Sequence, residues 1–331
     1  MEKICKSIDE QIEILAERNL KIDKITFAKK ILMYENYYYV INGYKDFFLA
    51  STSPDFYKKG ARFNEIVALY NFDRVLREIL TPDLLRIEHC IKSKVIDVFS
   101  KYHGHNHDEY LRTASFNNST PTNRMRSEKL VSELRKQICF QENNAIRHYT
   151  EDYGYVPLWV LSTAMTFGKV INFYGCMLQQ EKAEIANSFE LTSGIFKPLL
   201  EYMVTFRNKC AHGNRIYCHA KDNKPPRPIP NLPIHKLLNI PSNSKGYKYG
   251  THDVLALLIT MKYFMHPNRY EKMIGKIEYA LHRKLGKRLT SIDISEVENI
   301  MGLKGDWASR LSLSLSDLLS TLTWYNIVVT G

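Results

Sequence analysis

Apolar residues recur at intervals of three and four along most of the chain, and alternating β-branched runs are almost absent. That pattern predicts helices and few strands. The first helix opens on the capping pair Ser7-x-x-Glu10, carries Ile8, Ile12 and Leu15, and ends near Asn19. A second runs from Ile25 to Tyr34. Tyr37-Tyr38-Tyr39 and Gly43-Tyr44 follow. We expect these tyrosines to pack against a helix end, with base stacking as the alternative. Ser51–Gly60 reads as a connector. Helical spacing resumes at Phe63 and runs through Leu80, where Thr81-Pro82 predicts a fresh start, Thr as N-cap and Pro in the first turn. That next helix presents Leu84, Ile87, Ile91, Val95 and Val98.

Asn117–Arg126 is polar and basic and reads as a loop, followed by a helix over Ser127–Glu142. Pro157 opens a long apolar helix from Leu158 to about Leu178, with Gly168 inside it as the mark of a close helix contact. Short and long helices follow near Glu181–Phe189 and Phe196–Ala211. Pro225, Pro226, Pro228, Pro230 and Pro233 make Asp222–Pro233 an exposed crossing or a boundary. Beyond it, Asp253–Met265, Arg269–Leu285 and Ile294–Met301 look helical, the last with Asp293-x-x-Glu296 before it and Gly302 after it. The expected fold is all-α: an N-terminal helical segment (1–55), a helical bundle (56–220), and a Pro-rich loop with C-terminal helices packed on the bundle (221–331).

Charge changes this picture more than composition does. The 331 residues include 46 Lys and Arg against 35 Asp and Glu, a net charge of +11. Such a surplus favours a polyanionic partner, whether nucleic acid or an anionic membrane, over simple solubility only about evenly. Met1–Ile14 is too charged for a secretory signal, and no run approaches a membrane span. The expected compartment is reducing, so the six cysteines are read as thiols, with Cys90 and Cys176 in the core.

The candidate chemistry lies at the end of the Phe196–Ala211 helix. Leu199, Met203, Phe206 and Cys210 form one apolar stripe. Asn208 and His212 fall nearly opposite it, one turn apart, with Arg207 on the flank and Gly213 placed to end the helix. RNA carries its own nucleophile in the 2′-hydroxyl. An imidazole suits general acid–base work on it, a guanidinium suits phosphate, and an amide can orient either. The bland alternative is that Arg and His simply complement the helix dipole.

Arg207-Asn-Lys-Cys-Ala-His212 resembles the R-x-x-x-x-H motif of the HEPN ribonuclease superfamily. The surroundings resemble the abortive-infection AbiD/AbiF-like family over nearly the whole chain. The matching stretches are Asp9–Leu15, Tyr37–Tyr44, Leu69–Arg74, Arg86–Glu88, Gly154–Trp159, Thr166–Gly168 and Arg207–Arg215. The resemblance implies a HEPN-like bundle and metal-independent endoribonuclease activity without a cofactor. It also implies an antiphage or toxin–antitoxin role in a bacterial cytoplasm, with an antitoxin of protein or RNA. Two motifs must meet, so a homodimer is implied for a chain that carries one. Arg207, Asn208 and His212 are the catalytic candidates.

Weaker candidates surround them. Glu88 resembles a family glutamate that anchors Arg207, and a pair with Lys92 one turn on is an equal alternative. Lys209, Arg215 and Tyr217 are candidate supporting or RNA contacts; for Arg215 and Tyr217 packing is the alternative. Arg283, Lys284, Lys287 and Arg288, in Leu281–Arg288, form a basic run that could track an RNA backbone or simply be solvated. The Arg124-Met-Arg126 pair is read the same way. His103-x-His105-x-His107 could hold a metal, but a solvated loop is favoured. Cys210, His212, Cys218 and His219 match no zinc spacing. The expected function is an RNA-cleaving toxin. The competing readings are a non-catalytic RNA-binding regulator and, more weakly, a membrane-damaging protein.

Overall fold

The structure, a computed structural model, describes residues 5–221 and 227–313. It is all-α apart from two small antiparallel hairpins, Leu49–Thr52 with Asp55–Tyr57 and Ser242–Asn243 with Gly246–Tyr247. The first of these occupies the stretch read as a connector, Ser51–Gly60. The helix Ile8–Glu17 forms its capping box: Ser7 Oγ accepts the Glu10 amide, and the Glu10 carboxylate accepts the Ser7 amide at 2.7 Å.

One helix organises the molecule. It runs unbroken from Phe63 to His103, about 60 Å, straight through Thr81-Pro82. The predicted break there does not occur. Pro82 lies on the exposed side, as does Glu78, whose carbonyl loses its helical donor there, and Thr81 Oγ donates to the Arg77 carbonyl at 2.7 Å. The apolar stripe Leu76, Leu80, Leu84, Ile87 and Ile91 is buried continuously across the proline. Burying five such side chains outweighs the roughly 3 kcal/mol an interior proline costs.

Two further expectations are corrected. The helix predicted from Ser127 begins at Pro121, with the Thr120 hydroxyl accepting the Asn123 amide, so Arg124 and Arg126 are helical. The long helix predicted from Leu158 is instead two pieces: a short turn over Leu158–Ala164, then Phe167–Cys176 with Thr166 as N-cap. Other helices stabilise the interruption. Gln137 Nε2 donates to the Ala164 carbonyl at 3.0 Å and Lys92 Nζ to the Met165 carbonyl at 2.8 Å. Gly168 faces open space and marks no close contact. Cys176 is buried, but Cys90 is exposed, on the outer side of the central helix.

A single hydrophobic core runs from Ile12 to Leu311. The helix Ser193–Ala211 packs beside the central helix and against Val254–Lys262. The helix Pro267–Glu278 and its π-helical continuation Tyr279–Leu285 lie on the central helix. Buried Glu65 ties the ends together. Its carboxylate accepts the Thr290 and Ser291 amides at 2.5 and 2.7 Å and the Ser291 hydroxyl at 2.9 Å. Residues 222–226 of the Pro-rich crossing lie outside the described residues; Pro233 starts the short helix Pro233–Leu237. No helix among the described residues is long and apolar enough to cross a membrane.

Gly302 closes the helix Ile294–Met301 at φ 76°, and a Cβ there would overlap the carboxylate of Asp253. That carboxylate is itself engaged by the Gly250 and Ala256 amides at 2.7 and 2.9 Å. Gly302→Ala should therefore destabilise the fold by about 2–3 kcal/mol, adding left-handed strain to a displaced cap. Urea unfolding checks it; an unchanged midpoint would refute the fit described.

Candidate functional site

The helix Ser193–Ala211 buries Leu199, Met203 and Phe206 completely and Cys210 partly, as its stripe dictates. Its end is a Schellman turn. The Gly213 amide bonds the Cys210 carbonyl at 3.2 Å, the Asn214 amide bonds the Lys209 carbonyl at 2.9 Å, and Gly213 takes φ 67°. His212 is the C-cap, already out of helical geometry at φ −97° and ψ 8°, and its side chain is exposed. Asn208, one turn back, is exposed as well.

Arg207 is half-buried and fixed from two sides. Its Nε donates to Glu88 Oε2 at 2.8 Å and its Nη2 reaches Glu88 Oε1 at 3.5 Å. Its Nη1 donates to Asn208 Oδ1 at 3.3 Å. Of the two partners open to Glu88, the structure selects Arg207, because Lys92 is drawn away to the Met165 carbonyl. Fork-to-carboxylate pairing holds the guanidinium plane. The thiol of Cys210 is pushed up to about 11 by burial. It stays protonated and is a poor nucleophile.

A buried network fixes the loop after the motif. Asp73, wholly inaccessible on the central helix, accepts the Ile216 and Tyr217 amides at 3.1 and 2.8 Å and the Tyr44 hydroxyl at 2.7 Å, and is paired with Arg77. Burial pushes the Asp73 carboxyl up, opposed by Arg77 and by these donors. Burial beside Asp73 also pushes the Tyr44 hydroxyl up, which keeps it a donor. Arg77 Nη1 also reaches the Asn214 carbonyl at 3.3 Å. Sequence reasoning missed Asp73, Arg77 and the role of Tyr44. A signal existed: Asp73 interrupts the stripe Leu69, Leu76, Leu80 with an acid, four residues before an Arg.

The weaker candidates separate. Tyr217 is buried and stacked on Tyr44, ring centroids 5.4 Å apart, so of its two readings packing holds and it is not placed to touch RNA. Arg215 is exposed overall, but its guanidinium donates to the Gly43 carbonyl. Lys209 turns back to its own loop, reaching the Arg215 carbonyl at 3.3 Å and His219 Nδ1 at 2.7 Å. Arg283, Lys284, Lys287 and Arg288 are exposed. Lys284 and Arg288 border a groove with Ala68, Phe72 and Val75, two or more turns before Glu88. The basic run thus borders the stretch of the central helix that also carries Asp73, away from the Glu88 that holds Arg207.

The three histidines do not form a solvated loop. His103 Nε2 is 2.6 Å from Glu181, the His105 ring stacks on Trp159, and His107 Nδ1 accepts the Val156 amide at 3.1 Å. Each serves a separate contact. The tyrosines also depart from expectation: Tyr37 is half-buried, but Tyr38 and Tyr39 are 69% and 65% exposed rather than packed.

Most stretches that carry the family resemblance meet around this helix end. Tyr44 comes from the first aromatic run, and Asp73 and Glu88 come from two stretches of the central helix. Comparison with curated proteins and with solved structures gives no significant match. The model of one family, described as Abi-like protein, matches residues 30–218, more than half of the chain and all of the site around Arg207. The chain is therefore a member of the Abi-like protein family.

Proposed function

We propose that this Abi-like protein acts in phage defence by abortive infection, as a HEPN-type endoribonuclease that cleaves RNA without a metal ion. The observation that carries this reading is the exposed edge of the motif helix: Arg207 clamped by Glu88, with Asn208 and His212 open to solvent one turn apart. Arg207 holds the scissile phosphate and stabilises its developing charge. Asn208 orients the guanidinium or a phosphate oxygen. His212 moves a proton. The 2′-oxygen attacks phosphorus as its proton passes to one imidazole. The bond to the 5′-oxygen breaks as that oxygen gains a proton from a second. The products are a 2′,3′-cyclic phosphate and a 5′-hydroxyl. Two imidazoles require two motifs, which a homodimer supplies by facing two exposed edges together. A toxin of this kind needs restraint by an antitoxin, protein or RNA.

The test is total RNA incubated with wild type and His212→Ala in excess EDTA, followed by end-group analysis. Cyclic-phosphate ends from the wild type, reduced about 10²–10⁴-fold in the variant, are expected. RNA bound but left intact by the wild type at every pH and ion tried would replace the enzyme with a non-catalytic RNA-binding regulator.

A further inference from the structure

A cleft of about 180 Å³ opens beside the motif, between the turn at residues 38–44 and the loop after His212. Its walls include Tyr38, Tyr39, Tyr70, Asn42, Asn214 and Arg215, and Gly213 borders it directly. Tyr38 and Tyr39 meet edge to face, centroids 6.2 Å apart, with both rings mostly in solvent. Two neighbouring aromatics left exposed lose the burial that would otherwise favour them. The backbone is also unusual. Asn36 takes φ 63°, its side chain accepts the Tyr38 amide at 2.9 Å, and Tyr38–Asn42 is a π-helical turn. Such turns and left-handed non-glycine residues cluster at functional sites. Tyr70 is held in place by its hydroxyl bond to Glu35 at 2.5 Å, and Arg74 lies 3.6 Å from the same carboxylate.

We propose that this cleft seats an unpaired nucleobase of the RNA substrate. Tyr38 and Tyr39 give the stacking face, and the amides of Asn42 and Asn214 meet the base edge. The proposal rests on the ribonuclease reading above and deepens it. Aromatic faces take any base, while amides carry both donor and acceptor. Because Gly213 adjoins His212, the seated base belongs to a nucleotide next to the cleaved phosphate. A base inside a duplex is stacked and paired and cannot turn into the cleft, so single strands and loops are the substrates.

The probe is a fluorescein-labelled single-stranded RNA decamer titrated with full-length His212→Ala, in which cleavage is expected to be slowed about 10²–10⁴-fold. Adding Tyr38→Ala and Tyr39→Ala should weaken binding about tenfold or more, and adding Tyr38→Phe and Tyr39→Phe should leave it nearly unchanged. A duplex of the same sequence should bind more weakly and respond little. Equal affinity for the alanine pair, or no binding of the decamer by the parent, would overturn the cleft assignment. So would a change confined to self-association, measured by sedimentation, which would make the tyrosines an interface between copies. The ribonuclease reading fails separately, if wild type leaves total RNA uncut while the tyrosine dependence of binding persists.

Discussion

Asp73→Ala should lower the stability of the protein by about 3–5 kcal/mol, the largest loss expected from any single change in the site region. The carboxylate is inaccessible, and removing it leaves the Arg77 guanidinium buried without its counter-charge. It also orphans the Ile216 and Tyr217 amides and the Tyr44 hydroxyl. A buried ion pair replaced as a unit is often nearly neutral. Here, Arg77→Met added to Asp73→Ala should recover only part of the loss, because two backbone N–H groups remain unsatisfied. Urea unfolding of the two variants separates the contributions. Full recovery in the double variant would mean that the charge pair alone matters. An unchanged midpoint for Asp73→Ala would refute the network. Because the network fixes residues 214–217, RNA cleavage should also fall at temperatures where the variant is still folded.

Arg207→Ala should reduce RNA cleavage about 10²–10³-fold, the scale of losing one preorganised donor to a developing oxyanion. Glu88→Ala should give a smaller loss, since it frees the guanidinium without removing it. If Glu88 acts only by holding Arg207, the combined variant should be no worse than Arg207→Ala alone. Additive losses would give Glu88 a separate role. Cleavage and growth arrest that survive Arg207→Ala in soluble protein would remove the catalytic assignment altogether.

The helical pattern was legible where side-chain spacing and caps agreed: Ser7 with Glu10, Asp293 with Gly302, and the stripe Leu199, Met203, Phe206. It misled where local signals opposed tertiary burial. Thr81-Pro82 looks like a start in isolation, yet the core contacts on both sides of it join the two halves. The segment after Leu158 is apolar enough for one helix, but Lys92 and Gln137, distant in sequence, satisfy carbonyls at its break. The motif positions were visible because three residue types fall together on one helix edge. The Asp73 network was not, because its partners Tyr44, Ile216 and Tyr217 come from separate stretches and two of its bonds go to backbone. Tyr38 and Tyr39 were misjudged because a tyrosine triplet has no periodicity to show which ring is covered.

The uninterrupted central helix acts as a ruler. Asp73 and Glu88 grip the two sides of the motif turn from positions about 22 Å apart along one rod and about 60° apart around it. Inserting or deleting one residue between them would rotate one grip by about 100° relative to the other and release it. In descendants of this chain the span from 73 to 88 is thus fixed in length, with its side chains free to drift only where they face solvent.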